Sequence, residues 1–329
     1  SRFGTDHKWG YFPSGAFAWR MDKEDFIRNL DLFSTLKFRL GYGRTGNDQI
    51  GNYASYALMA TTHLTLDGNT NTAGTHLNQG SPENSALKWE TTSQYNAGLD
   101  MGFFNSRLMV SVDAYYKKTS DLLISKTFPL YSGFTSGLVN LGSVENKGVE
   151  FEISSKNFNG KNFSWDTKFN LAINRNKVID IGGKDIYLTS SKPMGTVSEE
   201  QFAVIREGEA LGSLFGYVYT GVIQEGETYA PQASSVAGDP KFADISGPEG
   251  KPDGKIDSYD RTIIGSANPK FIYGLTNTFN YNNFDLSIFL HGSVGNDLLN
   301  MWRMHLEWNR TTDALNRWTT SNTNTDIPR

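Results

Sequence analysis

Hydrophobic and polar residues alternate with a period of two along several stretches of the chain. The clearest example runs from Phe163 to Ile173, where apolar residues alternate with polar or charged ones. A period of two places the two sets on opposite faces of a β-strand. Strands of soluble sandwiches usually have about 5–6 residues, whereas strands that cross an outer membrane need roughly 9–11. The length of this stretch and its aromatic residues therefore predict a membrane-spanning barrel strand.

The same alternation recurs in about eight places, which predicts an antiparallel up-and-down sheet. Tight turns are predicted near Asn105, Asn159 and Asn282, and the connections between these hairpins are long. Short turns that alternate with long loops are typical of outer-membrane barrels, in which the long loops are extracellular. Nothing after Ser293 can supply a closing strand. The predicted strands are Trp9–Met21, Leu36–Tyr42, Tyr95–Phe103, Leu108–Tyr116, Val149–Ser154, Phe163–Ile173, Phe271–Phe279 and Phe284–Leu290.

Three further elements are predicted outside this sheet. A short strand is expected near Tyr53–Leu58, within a long segment rich in glycine, asparagine and threonine. Short helices are expected within Asp22–Ser34 and across Asp297–Trp308. The hairpin turn near residue 159 is predicted to span Asn157–Lys161, because asparagine and glycine tolerate positive φ.

Composition narrows the class of protein. Hydrophobic residues make up 38% of the chain, the mean hydropathy is -0.46, and no run approaches the ~20 apolar residues of a transmembrane helix. A barrel strand shows only every second residue to lipid, so low hydropathy agrees with a barrel. Cysteine is absent, which excludes disulfides and thiolate metal sites. The net charge of -4 argues against nucleic-acid binding, which needs a basic patch.

Several segments, in order along nearly the whole chain, resemble one family. Asn140–Glu150 resembles the Asn-Gly-Asn-Gly-Glu signature in the barrels of TonB-dependent outer-membrane receptors, and more narrowly of SusC/RagA-type transporters. The resemblance implies a large plugged barrel, such as the 22-stranded transporters, of which residues 1–329 form part of one domain. The plug, the TonB-binding segment and the last strands are expected beyond the given chain. The other matching segments are Trp9–Ser14, Leu36–Asn47, Leu87–Thr92 and Asp260–Lys270.

This resemblance implies a function. We expect TonB-dependent import of oligosaccharides, or alternatively of peptides, across the outer membrane of a Gram-negative bacterium, with a SusD-like lipoprotein as a lid. No enzymatic activity is expected, because no metal-ligand spacing and no nucleophile turn is present. One alternative is a small eight-stranded structural or adhesive barrel, whose end strands would have to pair. A second is a secreted β-rich glycan-binding domain, which would lack a lipid-sized apolar band.

An aspartate-rich segment comes nearest to a metal motif. The segment after residue 252 follows the order of the second half of an EF-hand loop, with a glycine between acids. Counting back from Gly254 as the sixth position puts Lys251 third, and a lysine cannot bind calcium. An Asx-rich surface turn is therefore favoured over calcium, and no other cofactor is predicted. The acids concerned are Asp244, Asp253, Asp257 and Asp260.

Aromatic residues in the long loops are the candidates for substrate contact. Sugars present C–H faces that pack on aromatic rings, and tyrosine and tryptophan add a polar group. The alternative is that these rings form an interfacial girdle or hold the loops together. The candidates are Phe215, Tyr217, Trp302 and Trp308.

Overall fold

The computed structural model describes residues 2–65, 73–189, 201–300, 303 and 312–329. The chain divides into two compact units. No helix in the described ranges is long and apolar enough to cross a membrane. The sheet unit comprises Ser1–Lys184, Glu207–Glu209 and Lys270–Val294, and the loop unit comprises Asp185–Arg206, Ala210–Pro269 and Gly295–Arg329.

Strands form nearly all of the regular structure. Among the described residues, α1 (Asp25–Arg28) is a short helix, Arg303 is also helical, and there are single 3₁₀ turns such as Ser258–Asp260. In chain order the strands are β1 Ser14–Arg20, β2 Thr35–Asn47, β3 Leu58–Thr65, β4 Ala73–Ser81, β5 Glu90–Phe103, β6 Leu108–Ser120, β7 Leu123–Thr127, β8 Ser136–Asn140, β9 Ser143–Asn159, β10 Phe163–Asp180, β11 Ile186–Thr189, β12 Gln201–Ile205, β13 Ser213–Gly216, β14 Tyr219–Val222, β15 Pro240–Phe242, β16 Thr262–Ser266, β17 Phe271–Tyr281 and β18 Phe284–Val294.

The sheet unit contains an open sheet of eight antiparallel strands in the order β1-β2-β5-β6-β9-β10-β17-β18. Sequential strands are neighbours, as in an up-and-down barrel. Among the described residues β1 pairs only with β2, and β18 only with β17. The predicted strand order and the absence of closure are both confirmed. The eight-stranded barrel alternative fails on this point, because it requires the two end strands to pair.

One face of this sheet is apolar from β2 to β18. Near the hairpin turns the Trp165 ring stacks on Phe279, with ring centroids 5.7 Å apart. At the other margin the Tyr42 and Tyr95 rings lie 4.9 Å apart. Aromatic rings at both margins of an apolar band are the girdles of a membrane-spanning barrel. One row across the band consists of Leu36, Met101, Val110, Ile153, Phe169, Leu275 and Leu290.

The opposite face is polar and carries charges of both signs. The Arg39 guanidinium donates to Asp100 and to Asp113, with nitrogen–oxygen distances of 2.8–2.9 Å. This is the face that a barrel turns toward its lumen. This ion pair, together with the register of the apolar row on the other face, confirms the alternation predicted from the sequence. The charged residues on this face include Asp113, Lys117, Glu150, Glu152, Asp166 and Lys168.

A glycine of the resemblance signature has a packing role on the polar face. A Cβ on Gly148 would lie 2.5 Å from the Tyr115 hydroxyl and 2.5 Å from the Ile173 carbonyl oxygen. The Tyr115 ring lies across this gap, and its hydroxyl donates to the Asn174 side chain at 3.1 Å. An aromatic ring that covers a strand glycine is a known means of fixing sheet register. The close approach of Tyr115 therefore accounts for the glycine of the signature at position 148.

Several boundaries differ from the prediction. The strand predicted at Tyr53–Leu58 is wrong: β3 begins at Leu58, because its pairing with β4 and not its own alternation sets its position. The turn predicted at Asn157–Lys161 is shorter, since β9 continues to Asn159 around a bulge. The helix predicted at Asp297–Trp308 lies largely outside the described residues; within them, residues 297–300 are not helical and Arg303 is helical.

The long connection after β10 is built from short strands. It holds a four-stranded sheet, β11-β12-β13-β16, and a separate pair, β14-β15. The sequence prediction treated this segment as loop, because strands of three to five residues carry too few alternations to detect. Its buried residues, with Ala314 and Trp318 from the segment after β18, form an ordinary protein core: Ala203, Val204, Phe215, Val222 and Ile223.

Candidate functional site

The candidate site lies in the loop unit, and it begins with Asp260. This carboxylate is fully buried. One oxygen accepts from the amides of Ile245 and Ser246 at 2.8 and 3.1 Å, and the other accepts from the amide of Asp257 at 2.8 Å. Asp257 in turn accepts from the Tyr259 amide at 2.8 Å, which completes a capping box on the 3₁₀ turn.

These hydrogen bonds determine the charge of Asp260. Burial alone would raise the pKa of this carboxyl, but the three backbone amides outweigh burial and hold the pKa below its usual value. Asp260 therefore remains a carboxylate. It joins the segment before residue 247 to the segment after residue 256.

The other acids of the cluster also accept backbone hydrogen bonds. Asp244 accepts from the amides of Asp253 and Gly254 at 3.3 and 2.7 Å, and Asp253 accepts from the amide of Lys255 at 3.0 Å. The bond to Asp253 is that of an Asx turn, whereas Asp244 joins its own segment to amides nine and ten residues further along the chain. Within the described ranges, no group of three or more acidic or histidine side chains is placed to hold a metal ion. The arrangement is that of a braced loop.

A cavity of about 730 Å³ lies beside this loop. We call it the arginine pocket, because two guanidinium groups line it and none of the described residues that line it is acidic. It also has tyrosine and serine side chains on its wall. Its principal lining residues are Tyr187, Arg206, Phe215, Ser246, Tyr259 and Arg261.

Both guanidinium groups lie near the Phe215 ring. The central carbon of Arg261 is 4.7 Å from the ring centroid, and that of Arg206 is 5.1 Å from it. Cations within about 6 Å of a ring centroid are attracted by the ring quadrupole. The Tyr187 ring contacts Phe215 from another side, with centroids 5.5 Å apart. Phe215, predicted to contact substrate, is 4% exposed and serves as the platform for the two arginines.

The two arginines differ in their partners. Arg206 donates to Asp185 at 2.7 Å. Burial lowers the pKa of Arg206, but its interactions with Asp185 and Tyr187 together outweigh burial and the pKa is raised. Arg261 donates to the side chain and the carbonyl oxygen of Gln201, at 2.6 and 3.1 Å. Among the described residues no carboxylate pairs with Arg261.

The remaining predicted aromatic residues are placed less centrally. Tyr217 packs against Phe242 with centroids 5.4 Å apart, and the central carbon of Arg261 is 5.9 Å from the Tyr217 centroid. Trp302 and Trp308 lie outside the described residues. Sequence reasoning missed both arginines, although Arg261 follows directly after Asp260 in a segment that the resemblance contains.

A second signature residue has a structural role, in the sheet unit. The Asn140 side chain accepts from the Lys88 amide at 2.8 Å and donates to the carbonyl oxygens of Lys88 and Asp121 at 2.7 and 2.9 Å. Glu90 accepts from the Leu123 amide at 3.2 Å. Two segments of the resemblance, Leu87–Thr92 and Asn140–Glu150, therefore hold each other where the long connections leave the sheet.

Taken together, the open up-and-down sheet, its lipid-type face and its polar face define part of the wall of a transmembrane β-barrel. The comparisons with known proteins make this assignment specific. The family description "TonB dependent receptor-like, beta-barrel" matches residues 1–262. The chain belongs to this family of TonB-dependent receptor barrels.

Relatives and solved structures agree with the narrower SusC/RagA type. The chain is 40% identical to TonB-dependent receptor P3 of Formosa agariphila, over 100% of this chain and 33% of that protein. It is 33% identical to TonB-dependent receptor SusC of Bacteroides thetaiotaomicron, over 90% of this chain and 28% of that protein. The RagAB peptide transporter structure matches with a TM-score of 0.79 at 25% identity, covering 100% of this chain and 35% of that one. The chain thus spans about a third of the length of these proteins.

Proposed function

We propose that the full-length protein imports oligosaccharides across the outer membrane of a Gram-negative bacterium, with energy from TonB and a SusD-like lipoprotein as its lid. Import of this kind makes and breaks no covalent bond, so the protein is not an enzyme. The observation that carries the proposal is the two-faced sheet of a receptor barrel, with one face suited to lipid and one to a polar lumen. The RagAB neighbours, described as peptide transporters, favour peptides as a second class of cargo.

Uptake tests the cargo directly. A strain that lacks the full-length gene is grown on single oligosaccharides or on defined peptides as the only carbon source, with and without a plasmid copy. We expect growth on at least one oligosaccharide to require both the plasmid copy and TonB. Loss of growth on peptides alone would establish the second class of cargo. Unchanged growth on both would contradict import.

The proposed lid needs a docking surface, and the loop unit has exposed apolar residues that suit one. A stable interface covers about 800 Å² on each partner, and large exposed apolar side chains mark such surfaces. Leu298 and Leu315 are 89% and 78% exposed. Smaller contributions come from Val236, Tyr259 and Ile264.

Co-purification tests this surface. Leu298→Asp combined with Leu315→Asp should reduce recovery of a tagged lipoprotein lid with the full-length transporter. Lys251→Gln, a change at an exposed residue of the same unit, should leave recovery unchanged. Full recovery with the double variant, in a barrel that has assembled, would assign these leucines to another role.

Orientation is open to a labelling test because the chain has no cysteine. The long connections are proposed to face the outside, so single cysteines at Lys184 and Glu225 should react with an impermeant thiol reagent on intact cells. These positions avoid Gly183 and Gly226, whose φ angles of 90° and 76° would strain a side chain. A cysteine at Asn159 should react only after the outer membrane is breached; reaction on intact cells would reverse the orientation.

A further inference from the structure

The arginine pocket of the loop unit contains more hydrogen-bond donors than its own packing uses. A guanidinium carries five N–H donors in a planar fork. Arg261 uses two of its nitrogens for bonds to Gln201, and no described carboxylate neutralises its charge. Arg206 is paired with Asp185, yet its guanidinium also lines the pocket. Of the two guanidinium groups on the wall of the cavity, that of Arg261 therefore has no carboxylate partner among the described residues.

The surroundings hold Arg261 in place. The central carbon of its guanidinium lies over the Phe215 and Tyr217 rings, 4.7 and 5.9 Å from their centroids, and the group keeps N–H donors beyond the two that bond to Gln201. The preceding residue, Asp260, is fixed by three backbone amides. A donor fork that is immobilised before binding loses less conformational entropy when a ligand arrives. The geometry is that of a prepared anion site and not of a freely moving surface arginine.

The size and polarity of the cavity indicate what it holds. Its volume of about 730 Å³ lies within the range of roughly 300–1,000 Å³ for small-molecule sites. Hydroxyl groups of Ser246, Ser258 and Tyr259 line it beside the two arginines. Guanidinium groups bind carboxylates in a bidentate manner, while neighbouring hydroxyls and tyrosine rings suit the rest of a polar oligomer.

We propose that the arginine pocket binds a carboxylate group of the imported oligomer, so that the cargo is acidic. This deepens the proposed import function and rests on it. The carboxylate belongs to a uronic acid in an oligosaccharide or to the free C-terminus of a peptide. Arg261 makes the bidentate contact and Arg206 contributes a second donor group.

The test measures binding by the full-length transporter purified from outer membranes in detergent. Isothermal titration uses two matched pairs of probes: trigalacturonic acid against its carboxyl-reduced neutral form, and a pentapeptide with a free C-terminus against its C-terminal amide. We expect one acidic probe to bind at least about tenfold more tightly than its neutral partner, the factor that corresponds to one charge-assisted hydrogen bond. The pair that discriminates identifies the source of the carboxylate.

Substitutions test whether the preference for the acidic probe arises in the arginine pocket. Arg261→Gln should remove the preference for the acidic probe, and Arg261→Lys should retain part of it, since lysine keeps the charge but not the fork. Lys251→Gln, which removes an exposed charge of the same unit, should leave the preference intact. A merely structural role for Arg261 would weaken acidic and neutral probes equally, and that result would overturn the proposal.

Two further outcomes also overturn it. One is equal affinity of the wild-type protein for both members of each pair, and the other is an Arg261→Gln variant that still discriminates. These binding measurements do not need TonB, so they are independent of uptake. If the transporter imports a neutral cargo and binds acidic and neutral probes equally, the proposed import function stands and the role proposed for the arginine pocket is wrong.

Discussion

The sheet unit and the loop unit are built from the same kinds of residue but are held together differently. In the sheet unit, long strands pair in continuous register and leave large apolar side chains uncovered: Leu286 and Leu290 are 57% and 55% exposed. In the loop unit, by contrast, the strands are short and large aromatic side chains are buried: Phe215 and Trp318 are 4% and 6% exposed. The sheet needs lipid to cover one face, whereas the loop unit has a buried core of its own.

This contrast shows which interactions fix the structure of each unit. The register of the sheet follows from backbone hydrogen bonds and alternating faces, and a one-residue slip would turn every apolar side chain to the lumen. The loop unit depends on the hydrogen bonds of single side chains: Asp260 accepts from backbone amides, and the Trp318 indole donates to the Gln224 side chain at 3.1 Å. Damage should therefore spread through the sheet but remain local in the loop unit.

The largest expected effect comes from placing a charge on the apolar face of the sheet. Phe169→Arg puts a guanidinium between Ile153 and Leu275, at a cost of roughly 2–4 kcal/mol near the middle of a bilayer. Lys168→Glu, one residue away on the polar face, should assemble normally. Assembly of the full-length protein is read from its heat-modifiable mobility on gels. Equal loss in both variants would contradict the assignment of the two faces.

An intermediate effect is expected from the buried carboxylate of the loop unit. Asp260→Ala leaves the amides of Ile245, Ser246 and Asp257 without their acceptor, and each buried unsatisfied group costs about 1–3 kcal/mol. The loop unit should become sensitive to limited proteolysis, while heat-modifiable mobility stays normal because the sheet does not depend on it. Asp253→Ala, at an exposed turn, is the matched control and should resist proteolysis as the wild type does.

The opposite result for Asp260→Ala would also be informative. Loss of barrel assembly, with or without proteolysis, would show that the loop unit contributes to folding of the sheet. The two units would then not be stabilised independently of each other.

The same contrast explains how far the sequence predicts the structure. The alternation in Phe163–Ile173 predicts β10, because one residue type per face repeats over many positions. Strands such as β13, Ser213–Gly216, escape prediction because four residues cannot establish a period. The aspartate cluster is found from sequence, but its role is not, since the EF-hand order says nothing about which backbone amides the carboxylates meet. Arg261 is missed because its partner ring, Phe215, is distant in the chain.

The smallest effect is expected at the rim of the sheet, where Asp22 lies in the connection between β1 and β2. Arg20 donates to both oxygens of this carboxylate at 2.7 Å, and the Leu36 amide donates to it at 3.3 Å. The bond from Arg20 is the main reason that the pKa of Asp22 is lowered to about 2. A depressed pKa means that the carboxylate stabilises the folded form above its unfolded value, about 3.9. This stabilisation is lost as the pH falls from about 4 to about 2.

Hydrogen exchange at the Leu36 amide can measure this loss. The wild-type protection factor, corrected for the intrinsic rate at each pH, should fall between about pH 4 and pH 2, and in Asp22→Asn it should be lower and flat. The change should be small because the Arg20 side chain is half exposed and water screens the pair. Asp25→Asn is the control, since Asp25 pairs with Arg28 in the same connection but is 79% exposed. If Asp22→Asn followed the wild-type pH profile, another carboxylate would have to hold the rim, and the single-side-chain bracing ascribed here to the loop unit would not extend to the edge of the sheet.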